Sequence, residues 1–198
     1  MNSVKPLFQI RVCAGLGNPG PTYQKTYHNV GALFLAFLET QLGLAEQPTR
    51  RGKYTLVRTG EFWLIQPDAF MNESGPSVRA ALRDSRAQPS QLLVVHDDAD
   101  LLLGSYRLCF GRGAGGHHGV ESIIAALGTK DFWRLRWGIR PAPSSAPVKN
   151  ACFLTEPAGR RKKAADLVLR PLTAADHRRL YSAFEDFTDT LGSTWMVK

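Results

Sequence analysis

The chain has 198 residues, 43% hydrophobic and 21% charged, which suits one well-buried core, is short for two domains and excludes a disordered chain. Its net charge of +8, from 25 Lys and Arg against 17 Asp and Glu, fits either a plain basic globule or a protein with a polyanionic partner such as nucleic acid. Cys13, Cys109 and Cys152 are odd in number and far apart, against a disulfide framework or zinc knuckle. No signal peptide and no stretch near the ~18 apolar residues of a membrane span is present, so a cytoplasmic protein without a membrane partner is expected.

In chain order, "LFQIRVCAGLG" reads as a buried strand running into a glycine turn. From Asn29, "NVGALFLAFLETQLGL" places Val30, Leu33, Phe34, Phe37 and Leu38 on one helical face, with Asn29 as its N-cap. "KYTLVRTGEFWLIQP" predicts a hairpin turning near Thr59-Gly60, and "NESGPSVRAALRDSRA" a turn feeding a helix. "QLLVVHDDAD" predicts a buried strand ending in carboxylates, and "GSYRLCFG" another strand. "GVESIIAALG" predicts a short helix stopped by Gly128. "FWRLRWGIRP" alternates Trp133, Leu135 and Trp137 against Arg134, Arg136 and Gly138, as in a strand. After a Pro/Ser loop and the basic run Arg160 to Lys163, Leu180, Phe184, Phe187 and Leu191 recur at helical spacing. Strands alternating with helices predict an α/β fold with helices on both faces of the sheet.

Polar groups gather where the predicted strands end, the usual ligand position in open α/β sheets. "GLGNPG", Gly15 to Gly20, matches G-x-G-x-x-G, but Pro19 and Pro21 crowd the turn and the helical pattern begins only near Asn29. A dinucleotide loop is therefore disfavoured, and the glycines read as exposing Asn18. His28 in "TYHN" reads as a loop histidine or as a general base, since imidazole titrates near working pH. Asn72 in "FMNESG" reads as a helix cap or a site residue. The carboxylates of "HDDAD", His96 to Asp100, suit Mg²⁺, or one of them suits the holding of a histidine in its working tautomer. His117 and His118 in "GAGGHHG" are adjacent and point apart, which makes them poor joint metal ligands.

The five clusters in this order carry a resemblance. "GLGNPGPTYQKTYHNVG", "QPDAFMNESGPSV", "VVHDDADLLLGSYRL", "GAGGHHGVESIIAALGTKDFWRLRWGI" and "DLVLRPLTAADHRRL" are similar to the successive motifs of bacterial-type peptidyl-tRNA hydrolases. The resemblance implies one domain over residues 1–198, with a twisted mixed sheet flanked by helices. It implies cleavage of the ester between a peptide and the 3′ end of tRNA, recycling tRNA from prematurely released peptidyl-tRNA. It further implies a monomer without metal or other cofactor.

In that reading His28 is the general base on water and Asp97 orients it. Asn18 helps distinguish blocked from free aminoacyl groups. Tyr23, Phe70 and Asn72 line the site, and Arg136 is a basic contact to tRNA phosphate.

Two departures stand out. The family pattern Gly-His-Asn-Gly is here Gly116-His117-His118-Gly119, so His118 stands where a substrate-contacting asparagine is expected. An imidazole has fewer hydrogen-bonding groups than an amide and becomes charged below about pH 6.5. The Pro/Ser-rich basic stretch at about 144–165 is longer than the family's usual connection. Arg160, Arg161, Lys162 and Lys163 there read either as a solvated loop or as an added phosphate-binding element. The alternatives to the enzyme are a catalytically weakened RNA-binding relative and, more remotely, a metal-dependent phosphohydrolase using "HDDAD".

Overall fold

The structure, a computed structural model, describes residues 10–43, 47–60, 62–141 and 167–191. The predicted 144–165 insertion, with the basic stretch Arg160 to Lys163, lies outside the described residues.

Seven strands form one sheet. They are β1 (Val12–Gly15), β2 (Thr49–Arg51), β3 (Tyr54–Thr59), β4 (Phe62–Pro67), β5 (Leu92–Leu102), β6 (Tyr106–Phe110) and β7 (Trp133–Arg140), in the order β2-β3-β4-β1-β5-β7-β6. The central four, β4, β1, β5 and β7, are parallel to one another. The antiparallel β3 and β2 extend one edge and β6 the other. This is the predicted mixed α/β sheet, with the hairpin turning as expected at Thr59-Gly60. Strand β2 was not predicted: "TRR" is exposed throughout and carries no apolar alternation to read.

Four helices follow the predicted spacing: α1 (Val30–Gln41), α2 (Ser74–Ser85), α3 (His118–Leu127) and α4 (Ala174–Leu191). On one face of the sheet Phe34, Phe37 and Leu38 of α1 and Leu180, Phe184 and Phe187 of α4 pack on Leu93, Val95, Leu135 and Trp137. Phe34, Trp137 and Phe184 form a ring cluster with centroids 4.6 to 5.2 Å apart. Each fully buried large apolar side chain contributes about 1.5–3 kcal/mol, so this cluster fixes α4 firmly. On the opposite face Val78, Ala81 and Leu82 of α2 and Val120 and Ile123 of α3 cover Val12, Ala14, Leu92 and Val94. Gly128 ends α3 in the left-handed conformation (φ 69°), as its sequence position predicts.

One local expectation is corrected. Asn29 occupies the N-cap position of α1 but makes no cap bond; its side chain is spent elsewhere, as described below. Arg134, on the charged side of the predicted alternation in β7, is 3% exposed, because the strand lies between β5 and β6 inside the sheet.

Gly31 sets how closely α1 approaches the sheet. A Cβ there would stand 2.3 Å from the Val95 carbonyl oxygen and 2.6 Å from the Leu16 amide nitrogen, both backbone atoms that cannot swing away. Gly31→Ala is expected to destabilise the protein by about 3 kcal/mol, the upper part of the usual range for overpacking. The denaturant midpoint reports it, and an unshifted midpoint would mean that α1 rides further from β1 than described.

Candidate active site

The site lies beyond the carboxyl ends of β1 and β4, where their connecting segments converge on the middle of β5. Strand β1 runs into Leu16 to Asn18, β4 into Phe70 to Asn72, and β5 carries His96, Asp97 and Asp98 toward the same end.

The glycine loop is expected to expose Asn18, but it is 8% exposed and acts as a junction. Its backbone N–H donates to Asn29 Oδ1 at 2.9 Å, and Asn29 Nδ2 donates back to the Asn18 carbonyl at 2.9 Å. This clamp takes both ends of the Asn29 amide, which is why Asn29 does not cap α1. Asn18 Oδ1 in turn accepts from the Met71 backbone N–H at 2.8 Å. With that oxygen engaged, the Asn18 amide group is left to donate. The β1 loop, the start of α1 and the β4 loop are thereby joined through two asparagines.

His28 sits in the one-turn 3-10 helix Tyr27–Asn29, just ahead of α1. Its Nδ1 lies 2.7 Å from Asp97 Oδ1. Asp97 is buried, and burial by itself would raise its carboxyl. The imidazoles of His117 and His28 overcome that and hold it well below the usual carboxylate range. An ionised carboxylate only accepts hydrogen bonds, so Nδ1 of His28 carries the proton and donates. The ring's other nitrogen, Nε2, keeps a free lone pair, and the side chain is 13% exposed. That is the state a general base needs.

The same Asp97 oxygen takes a second donor, His117 Nε2 at 3.1 Å. His117 is also the N-cap of α3, its Nδ1 accepting from the Val120 backbone N–H at 3.3 Å. Accepting at Nδ1 and donating at Nε2 defines its tautomer from both sides. Gly115 and Gly116, both left-handed (φ 65° and 81°), turn the chain so that this imidazole reaches Asp97. His96 completes the wall. Its Nδ1 donates to the Asp97 carbonyl at 2.7 Å and its ring meets His117 edge-on at 4.5 Å. Burial pushes its imidazole well below the usual value, so it stays uncharged.

The two adjacent histidines part company here. His118 is the first residue of α3, its side chain is 75% exposed, and its Nδ1 lies 3.0 Å from Glu121 Oε2, one turn along. Among the described residues, His28, Asp97 and His117 each offer one ligand atom within 4.8 Å of the others. The carboxylates of "HDDAD" do not converge on a common point. Asp97 faces the histidines, whereas Asp98 accepts from Arg136 Nε and from the Asp100 amide.

Tyr23 and Phe70 meet edge to face across the opening, 6.3 Å between centroids. Phe70 is 52% exposed, a large apolar ring in water beside a polar pocket. Asn72 is exposed in the short 3-10 turn Met71–Glu73 and caps nothing. Among the described residues its amide has no hydrogen-bond partner, so both donors and the carbonyl stay open. Arg136 lies on β7 opposite Arg107 of β6. Burial would lower its guanidinium, but the paired Asp98 carboxylate raises it. Arg136 therefore holds its charge, with Asp98 accepting from its Nε and Cys109 beside it.

Sequence reasoning places Asn18, Tyr23, His28, Phe70, Asn72 and Asp97 in the segments that converge here. It misses the Asn29 clamp, the His96 contact and the double use of Asp97. Nothing local signals them, except that His117 directly precedes an apolar helical run, which is an N-cap position.

The sequence model of the peptidyl-tRNA hydrolase family matches residues 12–197. The peptidyl-tRNA hydrolase of Thiobacillus denitrificans is 43% identical over 157 residues, covering 79% of this chain and 76% of that protein. That of Nitrosospira multiformis is 41% identical over 163 residues, covering 80% and 83%. The crystal structure of peptidyl-tRNA hydrolase from Acinetobacter baumannii superposes with a TM-score of 0.75 at 25% identity, covering 96% of this chain and 91% of that one. A match from the first strand almost to the last residue, on the same fold, means that the chain belongs to the peptidyl-tRNA hydrolase family.

Proposed function

We propose that the chain hydrolyses the ester between a peptide and the 3′ end of tRNA, with His28 as general base and Asp97 as the group that orients it. The observation that carries this is the 2.7 Å bond from His28 Nδ1 to the buried Asp97, which leaves Nε2 free at a partly open site. Water adds to the ester carbonyl while Nε2 takes its proton. The tetrahedral intermediate then expels the tRNA 3′ oxygen, which recovers the proton from the imidazolium. The Asn18 and Asn72 amides are the neutral donors within the site. One such donor aimed at the developing oxyanion contributes about 3 kcal/mol, and an amide also suits the reading of a blocked amino group. Tyr23 and Phe70 flank the substrate's terminal part.

The net charge of +8 supports backbone-directed tRNA binding, with Arg136 as a phosphate contact that keeps its remaining donors free of Asp98. No helix among the described residues is long and apolar enough to cross a membrane. We place the enzyme in the cytoplasm, acting as a monomer without a metal. Release of an N-blocked amino acid from its tRNA, with and without EDTA, tests the reading. Turnover indifferent to the chelator is expected. Activity lost to EDTA and returned by a divalent cation would favour the metal-dependent alternative.

The exposed, Glu121-paired His118 is the feature that a weakened RNA-binding relative can claim. His118→Asn is expected to raise turnover by up to about tenfold, the worth of one recovered hydrogen bond. An unchanged rate and pH profile would remove position 118 from the working contacts.

A further inference from the structure

The turn that carries His28 is held by a segment far along the chain. Thr26 and Pro171 form an isolated antiparallel bridge. The Tyr27 N–H donates to the Arg170 carbonyl at 3.2 Å, and the Leu172 N–H donates to the Lys25 carbonyl at 2.7 Å. Beside this short pairing the Tyr27 hydroxyl donates to Asp176 Oδ2 at 2.7 Å, across 149 residues of sequence.

Asp176 is already employed at the start of α4. Its Oδ2 accepts from the Thr173 backbone N–H at 3.3 Å and from Thr173 Oγ1 at 2.6 Å, and its backbone N–H donates to Thr173 Oγ1 at 3.2 Å. This is a capping box in which Thr173 is the N-cap and Asp176 the third helical residue. The cap is complete without Tyr27. Tyr27 is 7% exposed, and a phenylalanine would fill the same space. The hydroxyl–carboxylate bond is thus demanded neither by the cap nor by the packing, and it ties the residue before His28 to a helix anchored in the core by Leu180, Phe184 and Phe187.

We propose that Tyr27 and Asp176 are positioning residues for the general base, and that residues 170–176 form a strap that holds the His28 turn in register with Asp97. The proposal rests on the assignment of His28 as the base. The imidazole is gripped at its ring by Asp97 from β5. Its backbone is gripped on the N-terminal side by the strap and on the C-terminal side by the Asn18–Asn29 clamp. Release of the strap leaves the ring with one fixed end. The C-terminal helix, which offers no group to the reacting atoms, is thereby part of the catalytic apparatus.

The test uses the full chain. Tyr27→Phe is expected to lower kcat about tenfold with KM changed by less than about twofold, a loss of orientation rather than of binding. In proton NMR the downfield Nδ1 proton of His28, bonded to Asp97, should broaden or vanish. Asp176→Ala should behave as Tyr27→Phe does, and the double variant no worse than either alone. Asp176→Asn keeps an oxygen for the phenol and should restore both kcat and the proton signal. A Tyr27→Phe protein that melts earlier but keeps its kcat and its Nδ1 proton would overturn the strap and leave a merely structural bond. Should Tyr27→Phe not fold, the contrast between Asp176→Asn and Asp176→Ala decides the matter. Inactive His28→Ala beside unaffected Tyr27→Phe would sink the strap alone, whereas active His28→Ala would sink the base assignment itself.

Discussion

Replacing His28 with alanine is expected to lower turnover of N-blocked aminoacyl-tRNA by about 10²–10⁴-fold, the usual contribution of a positioned general base. His28 is the one imidazole on Asp97 whose second nitrogen has no partner among the described residues. His117 spends Nδ1 on the Val120 amide and has no lone pair left for water. Transfer of the role to His117 would cost the cap of α3. Binding of tRNA should survive, with an unchanged salt slope, because no phosphate contact is removed. The variant leaves Asp97 with one imidazole donor instead of two, a loss of order 1–3 kcal/mol in stability. A melting curve beside the assay separates unfolding from lost chemistry. His28→Asn, which can present an amide N–H toward Asp97, should recover part of the stability and none of the turnover. Wild-type turnover in either variant would exclude His28 as the base.

Asp97→Asn is expected to keep the fold and lower turnover by about 10³-fold. Both imidazoles donate to the same atom, Oδ1. An asparagine carbonyl placed there can accept both bonds, so the substitution removes the charge while keeping the geometry. An imidazolium forming about 4 Å from a carboxylate gains about 4 kcal/mol at an effective dielectric of ~20, equivalent to about three powers of ten in rate.

The substitution also has a signature in stability. The folded Asp97 carboxyl is depressed relative to about 3.9 in the unfolded chain. Its contribution is fully present above pH ~4 and is lost as the pH falls below that toward the folded value. Asp97→Asn should therefore flatten the acid limb of a melting-temperature profile while leaving the neutral limb parallel to the parent. An acid limb as steep as the parent's would mean that Asp97 is not the carboxylate responsible.

Much of the fold is legible before any coordinate is known. Glycine stops, apolar periodicity and β-branched runs depend on neighbours within one or two turns, and α1, α2, α3, α4 and six of the seven strands follow them. Strand β2 fails the same test because an exposed edge strand needs only a backbone partner. The alternation of Arg134 and Arg136 in β7 says which side chains share a face and not whether that face is covered. The site was legible as clusters, each ambiguous by itself. His28 had the marks of a surface loop histidine, and Asn72 those of a helix cap.

What separates the readings is distance between residues remote in sequence. Asn29 follows the rule for an N-cap and breaks it because the Asn18 backbone, eleven residues away, satisfies its amide at both ends. His117 and His118 are chemically identical neighbours. A left-handed glycine pair and one helical step send the first to Asp97 and the second into water beside Glu121. The residue types at the strand ends were enough to suggest a chemistry, because general bases, carboxylates and amides have few substitutes. Which imidazole faces Asp97, which carboxylate is left to Arg136, and which helix holds the His28 turn were set by packing. Those choices depend on contacts spanning up to 149 residues, and no local preference encodes them.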